Sequence, residues 1–176
     1  MRLMRIYHGT DIISARNICE TKYIDVKCGS QSVDFGPGFY TTEDFGTASI
    51  WAYRKGELRK SKPAVVTLYF DIESSKSIIE CFEVDLRWGR FIINNRNGYD
   101  YISKVEYKEN NLDSKYEITY GRISDVEIMD IADDLLAKGE MLNSIDKIFN
   151  KKYSNQIVFH TRHAIEYIKK MSYEIV

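Results

Sequence analysis

The run Ala64-Val65-Val66-Thr67-Leu68-Tyr69-Phe70-Asp71-Ile72 constrains the fold of this chain more than any other stretch. β-Branched and aromatic residues follow one another there, so the run reads as a strand, and one placed centrally in a sheet. The sequence offers it several shorter partners. Met4–Tyr7, Phe39–Thr41 and Gln156–Phe159 read as strands, and Tyr116–Tyr120 alternates until Gly121 ends it. Helices are expected between them. One spans Asp11–Cys19, with Thr10 or Asp11 as its cap, and another starts at Thr42-Glu43-Asp44 and runs to about Tyr53. In the second, Phe45, Ala48, Trp51 and Ala52 recur at three and four residues and share one face, where Trp51 reads as core. Glu83–Asn94 predicts a helix that Gly89 weakens, and Ser124 with Glu127 makes a capping box for a helix through Ala137. A short helix at Ser144–Phe149 and a closing helix at Thr161–Lys170, with Glu166 and Lys170 one turn apart, complete the set. The strands outnumber what a bundle needs, and no strand-helix-strand series carries a Gly-x-Gly-x-x-Gly turn. The chain is expected to be mixed α+β, and not a Rossmann fold.

The connections carry the unusual segments. Tyr7-His8-Gly9-Thr10 puts an imidazole and a glycine at the end of an apolar stretch, where a backbone amide lacking a Cβ beside it can approach a ligand. Glu20–Gly38 is a polar loop of a length that is often a binding element, and it ends in the glycine-punctuated turn Asp34-Phe35-Gly36-Pro37-Gly38-Phe39-Tyr40. A third piece, Asn155-Gln156-Ile157-Val158-Phe159-His160-Thr161, opens a late strand with a carboxamide side chain. His8 alone would read as a structural histidine at a strand end, and Tyr40 as one more core tyrosine. Gly9 and the second segment favour a pocket. His160 and His163 read as capping or facing the last helix, not as ligands. Arg54–Lys62 reads as a basic, solvated surface connection and not as a nucleic-acid patch.

Composition excludes several classes. With 25 Lys and Arg against 26 Asp and Glu, a net charge of −1 makes no global case for nucleic-acid or anionic-membrane binding. Cys19, Cys28 and Cys81 form no CxxC pair and argue against a disulfide frame or a zinc site, which fits a reducing cytoplasm. No apolar run reaches the roughly 20 residues of a membrane span, and no signal-peptide core follows Met1. At 176 residues, with 2 prolines and no low-complexity stretch, one domain over residues 1–176 is expected. The 13 tyrosines suit a β-rich core with half-buried edges.

Taken together, the three segments resemble the ADP-ribosyltransferase superfamily of the His-Tyr-Glu type, to which diphtheria toxin and the poly(ADP-ribose) polymerases belong. Those proteins carry His-Gly-Ser/Thr on a first strand, then Phe-Gly-x-Gly-x-Tyr, then a late strand with an acidic residue. His8-Gly9-Thr10, Phe35–Tyr40 and Gln156 stand here in that order. More closely, the chain resembles a bacterial family of unknown function within that superfamily, with Asp-Phe-Gly-x-Gly-Phe-Tyr-x-Thr-Thr, a helix ending in Trp-Ala, and Asp-Gln-Ile-x-Phe-His-Thr. Asp34–Thr42, Trp51-Ala52 and Asn155–Thr161 match these over nearly the whole chain. Departures occur at Arg122, in place of proline, and at Ser124-Asp125-Val126, in place of Ala-Asp-Asp.

The resemblance implies an α+β fold of split antiparallel sheets and flanking helices around a cleft for NAD, the co-substrate. It implies that His8 bonds the adenosine ribose, the Gly9 backbone pairs with the nicotinamide carboxamide, Tyr40 stacks on the nicotinamide ring, and Gln156 holds the nicotinamide ribose. Thr10, Gly38 and Thr47 join the candidate NAD contacts. The implied activity is mono-ADP-ribosyl transfer to a macromolecular acceptor, protein or nucleic acid, by a bacterial toxin of a toxin–antitoxin or defence system with a cognate antitoxin and no membrane partner. NAD hydrolysis and non-catalytic NAD or ADP-ribose binding are the alternatives. Glutamate is usual where Gln156 stands, and losing such a charge commonly costs about 3–4 kcal/mol, or about 10²–10³ in rate. Slow or single-site transfer is therefore expected. Glu20–Val33 and Tyr99–Lys115 are candidate acceptor-recognition loops, being polar and long.

Overall fold

In the computed structural model, which describes residues 3–27, 33–124 and 154–176, the β-branched run becomes strand β3 (Pro63–Asp71). Strand β1 (Leu3–Asp11) lies antiparallel along one side of it, in register from Leu3 opposite Asp71 to Asp11 opposite Pro63. Both faces of β3 are covered, which is why its apolar residues run on without alternation. Val66, Leu68 and Phe70 pack with Ile6, Ala15 and Ile18 on one face, and Val65 packs with Tyr7, Ala48 and Ala52 on the other.

The two covering helices follow their strands directly. Helix α1 (Ile12–Thr21) is capped by Asp11, whose Oδ1 accepts from the Ile13 and Ser14 amides. After strand β2 (Phe39–Thr42), helix α2 (Phe45–Arg59) is capped by Asp44, whose Oδ2 accepts from the Thr47 amide at 2.6 Å. Ala48, Ala52 and Gly56 form the buried stripe of α2. Side chains this small let the helix backbone settle onto β1, and a Cβ on Gly9 would lie 1.9 Å from the Ala48 carbonyl oxygen. Gly9 is thus required by helix packing. The residues from Arg54 onward, expected as a surface connection, continue α2 to Arg59. Long-chain lysine, arginine and glutamate favour helix there, and Lys60 ends it in the left-handed conformation.

Strand β4 (Ile79–Cys81), helix α3 (Leu86–Ile102), and strands β5 (Ile118–Arg122) and β6 (Asn155–Phe159) build the other half. Helix α3 starts later than the expected Glu83, with Asp85 accepting from the Trp88 amide, and carries a non-helical break at Gly98 (φ 69). Gly89 does not interrupt it. Trp88, Phe91 and Ile92 bury against Phe35, Phe82 and Val158. Helix α4 (Arg162–Ile165) is a single turn, and the chain then forms strand β7 (Ile168–Ile175) on the far side of β3. The expected closing helix over Thr161–Lys170 is corrected here: Met171 and Tyr173 alternate onto the core with a period of two, and pairing with β3 overrides the helix-like spacing. Apart from Ser124, the expected helices over 124–137 and 144–149 lie outside the described residues.

The described strands join in the order β4-β5-β6-β2-β1-β3-β7. All neighbours are antiparallel except β4 and β5, which run parallel, and the described strands form one seven-stranded sheet where split antiparallel sheets are expected. The join between β1 and β2 is the weakest in the sheet. It consists of one pair, Tyr7 opposite Thr42, beyond which the strands part. Among the described residues no helix is long and apolar enough to cross a membrane.

Candidate functional site

Where β1 and β2 part, the sheet opens into a cleft of about 760 Å³, within the range of small-molecule pockets. His8, Gly9 and Thr10 of β1 face it from one side, and Gly38 and Tyr40 from the other. His8 Nδ1 donates to the Tyr40 carbonyl across 2.7 Å. A carbonyl can only accept, so the proton sits on Nδ1 and Nε2 is left as an acceptor. Burial pulls the imidazole from its ordinary 6.5 down to about 4, against the Tyr40 bond and with help from the Lys55 and Arg59 charges. At neutral pH it is uncharged. His8 therefore has two jobs open to one ring: it satisfies a β2 carbonyl that has lost its strand partner, and it offers Nε2 to a hydroxyl.

The second segment is a turn fixed from several sides. Gly36 holds φ +85, a left-handed value that L side chains rarely adopt. Gly38 lies against β6, where a Cβ would meet Val158 Cγ1 at 2.5 Å. His160 is buried beneath the turn; its Nδ1 donates to the Pro37 carbonyl at 2.7 Å and its Nε2 meets Thr119 Oγ1 at 2.8 Å. Burial brings this imidazole also to about 4. Tyr40 closes the turn on itself, its hydroxyl donating to the Gly36 carbonyl and accepting from the Phe35 amide. Burial, then the Asp34 charge, pushes that phenol well above its usual range. Tyr40 thus keeps its proton, on the Gly36 carbonyl, and the residue lines the cleft.

Gln156 is buried in the lining of the cleft, and beside it lies a carboxylate, Asp34, to which the sequence alone assigns no role. Gln156 Nε2 donates to Asp34 Oδ2 at 3.0 Å and to the Arg122 carbonyl at 3.4 Å. The same Oδ2 accepts the Ser124 amide at 2.9 Å. Asp34 Oδ1 accepts from Ser124 Oγ at 2.8 Å and from Arg96 through both Nε and Nη2. Asp34, Arg96 and Ser124 all line the cleft with Gln156. Asp34 opens the glycine-rich segment, which was its only signal; Arg96, in mid-helix, carries none. Ser124 stands at one of the departures from the resembling family's pattern, where alanine is usual, and its hydroxyl is what reaches the carboxylate.

The opposite rim is cationic. Arg54, Lys55 and Arg59 of α2 line it, and the Arg54 guanidinium lies 4.9 Å from the centre of the Trp51 ring. Trp51, expected in the helix core, is 39% exposed at this rim, because the stripe that packs on β1 is made by Ala48, Ala52 and Gly56. Arg59 is committed to Asp11, 2.5 Å away, and to Ser14 Oγ. Thr47 stands apart from the other candidates: it does not line the cleft, and its hydroxyl donates to its own cap, Asp44, at 2.7 Å. His163 sits on α4 and pairs with Glu117.

Fold and site together define a mixed α+β protein with one cleft opened by a parted strand pair. The chain belongs to the DUF3990 family, a family of proteins of unknown function, whose profile matches residues 4–170. No curated protein and no solved structure matches it.

Proposed function

We propose that the cleft binds NAD and that the protein transfers ADP-ribose from it to a macromolecular acceptor. The observation that carries the reading is the convergence of His8, Tyr40 and Gln156, from three separate strands, on one cleft with a cationic rim. Each part suits a different part of the dinucleotide. His8 Nε2 accepts from a ribose hydroxyl, the Tyr40 ring offers a face to nicotinamide, and the Gly9 backbone pairs with the carboxamide. Arg54 and Lys55 complement the diphosphate, which carries two negative charges.

In the reaction the bond between C1 of the ribose and the nicotinamide nitrogen breaks, and the electron pair leaves with nicotinamide, which becomes neutral. Positive charge develops on the ribose ring, as in glycoside hydrolysis. A nucleophilic atom of the acceptor then bonds to C1 and loses its proton to solvent. Gln156 holds the ribose through its amide oxygen and takes no proton.

Protein incubated with NAD labelled on the adenylate half and with host lysate is expected to label a macromolecule, and Tyr40→Ala to abolish the label. Labelling that survives Tyr40→Ala would overturn the assignment of this cleft. Release of free ADP-ribose with no labelled macromolecule would replace transfer with hydrolysis, and binding of NAD without turnover would leave only a reader of the dinucleotide.

A further inference from the structure

We propose that Asp34 is a positioning residue for Gln156: its carboxylate fixes the orientation of the Gln156 amide, so that Nε2 faces inward and Oε1 is the atom offered to a ligand in the cleft. The two ends of a carboxamide are nearly equal in size, and packing alone does not choose between them. Here the chemistry of the neighbours does. Both groups beside Nε2, the Asp34 carboxylate at 3.0 Å and the Arg122 carbonyl at 3.4 Å, can only accept. A reversed amide would set oxygen against oxygen at both. Among the described residues no donor reaches Gln156 Oε1, so that atom is the acceptor left to a ligand hydroxyl.

Asp34 can impose this because it is itself immobile. Arg96 and Ser124 hold both its oxygens, and its side chain is 7% exposed. Arg96 also neutralises it, so Asp34 acts on the site through geometry and not as a free anion. The amide at 156 and the carboxylate at 34 therefore form a matched pair. A glutamate at 156 would place two carboxylates at hydrogen-bonding distance, where one must take a proton. Gln156→Glu alone is then no gain, although a charged residue is usual at that position in the superfamily this chain resembles. Exchanging the pair, Asp34→Asn with Gln156→Glu, restores a donor facing an acceptor between the two side chains, while the new NH2 loses the Ser124 amide bond that Oδ2 accepted.

The kinetic half of the test rests on the NAD reading; the spectroscopic half does not. With the glutamine side-chain amides labelled with nitrogen-15, only Gln31 and Gln156 report, and Gln156→Leu assigns the second. In the unaltered protein the Gln156 amide is expected to exchange with solvent at least about tenfold more slowly than a free glutamine, and Asp34→Asn to remove that protection. In nicotinamide release from NAD, Asp34→Asn is expected to lower kcat by about 10²-fold with KM within about threefold. The exchanged pair should recover part of that loss, since the Ser124 amide bond is not restored, and Gln156→Glu should not exceed the unaltered protein. A Gln156 amide that exchanges freely, or a folded Asp34→Asn with undiminished kcat, would overturn the proposal. If Asp34→Asn does not fold, exchange in the unaltered protein decides it. If the unaltered protein does not turn NAD over, the proposed function falls while the amide measurement still decides the orientation.

Discussion

His8 Nδ1 and the Tyr40 carbonyl are 2.7 Å apart, and this side-chain bond spans the gap where β1 and β2 cease to pair. Removing the ring leaves a half-buried carbonyl without its donor and deletes the ring contact with Phe39, whose centroid lies 4.4 Å away. His8→Ala is expected to lower stability by about 1–3 kcal/mol, read from urea unfolding. It should also weaken NAD binding by about tenfold, because Nε2 goes with the ring. A variant that loses stability while calorimetry shows unchanged NAD affinity would restrict His8 to the strand gap.

The two buried imidazoles set a pH window. His8 and His160 both titrate at about 4 in the folded protein, whereas an unfolded histidine takes its proton near 6.5. Between those values the unfolded chain binds the extra protons, so stability is full above about 6.5 and is lost as the pH falls toward 4. From pH 7 to pH 5 the loss is roughly 2 kcal/mol for each imidazole. Carboxylates enter later. Asp11 and Glu109 are each held at about 2, and their contribution is lost only as the pH drops through the acid range below their ordinary values. Chemical unfolding at pH 7, 6 and 5 checks the window, and His160→Gln should remove about half of the slope.

Gly9 gives a prediction free of any assumption about a ligand. Its Cβ direction points at backbone atoms of α2, the Ala48 oxygen at 1.9 Å and the Ala52 nitrogen at 2.7 Å, and neither can swing aside as a side chain would. Gly9→Ala is expected to cost about 3 kcal/mol or more, or to prevent folding. Thermal unfolding measures it. A Gly9→Ala protein as stable as the original would mean that α2 stands further from β1 than described.

Tyr40 separates stability from binding. Its hydroxyl serves the turn, through Gly36 and Phe35, and the residue lines the cleft, where the proposed function uses its ring. Tyr40→Phe leaves the Phe35 amide short of an acceptor and should cost about 1–3 kcal/mol while retaining nicotinamide stacking. Tyr40→Ala should lose both. Paired denaturation and NAD titration of the two variants distinguish ring from hydroxyl.

What the sequence made legible follows from how local each signal is. The cap at Asp11 sits next to its helix, β3 announces itself by composition, and β6 by an apolar run bounded by polar residues. Strand β7 reads as a helix in the sequence because Ile165, Ile168 and the Glu166–Lys170 spacing imitate one, and only pairing with β3, about 100 positions away in the chain, settles its form. The Asp34 network is the extreme case. Its partners Arg96, Ser124 and Gln156 lie 62, 90 and 122 residues away, and no spacing rule links them. Thr47 errs the other way: a threonine three residues after an aspartate at a helix start is a capping arrangement, and its side chain is spent there.

Among the described residues, Arg59 of the three rim cations has a carboxylate partner, and Arg54 and Lys55 have none. Arg54 and Lys55 lie on the exposed face of α2, and Arg54 rests on Trp51. Arg59 instead pairs with Asp11, whose side chain is 2% exposed. Burial alone would raise that carboxyl, but the bonds from Ser14 and Arg59 outweigh it and hold it at about 2. Arg54→Ala with Lys55→Ala is therefore expected to leave stability within about 0.5 kcal/mol and to weaken NAD binding by about tenfold, with a shallower dependence on salt. Arg59→Ala should do the reverse, costing about 1–3 kcal/mol because Asp11 stays buried with one donor fewer. Calorimetric NAD titration at two salt concentrations, beside urea unfolding of both variants, separates the cases. An Arg54 and Lys55 double variant that binds NAD unchanged at low salt would remove the diphosphate from this rim.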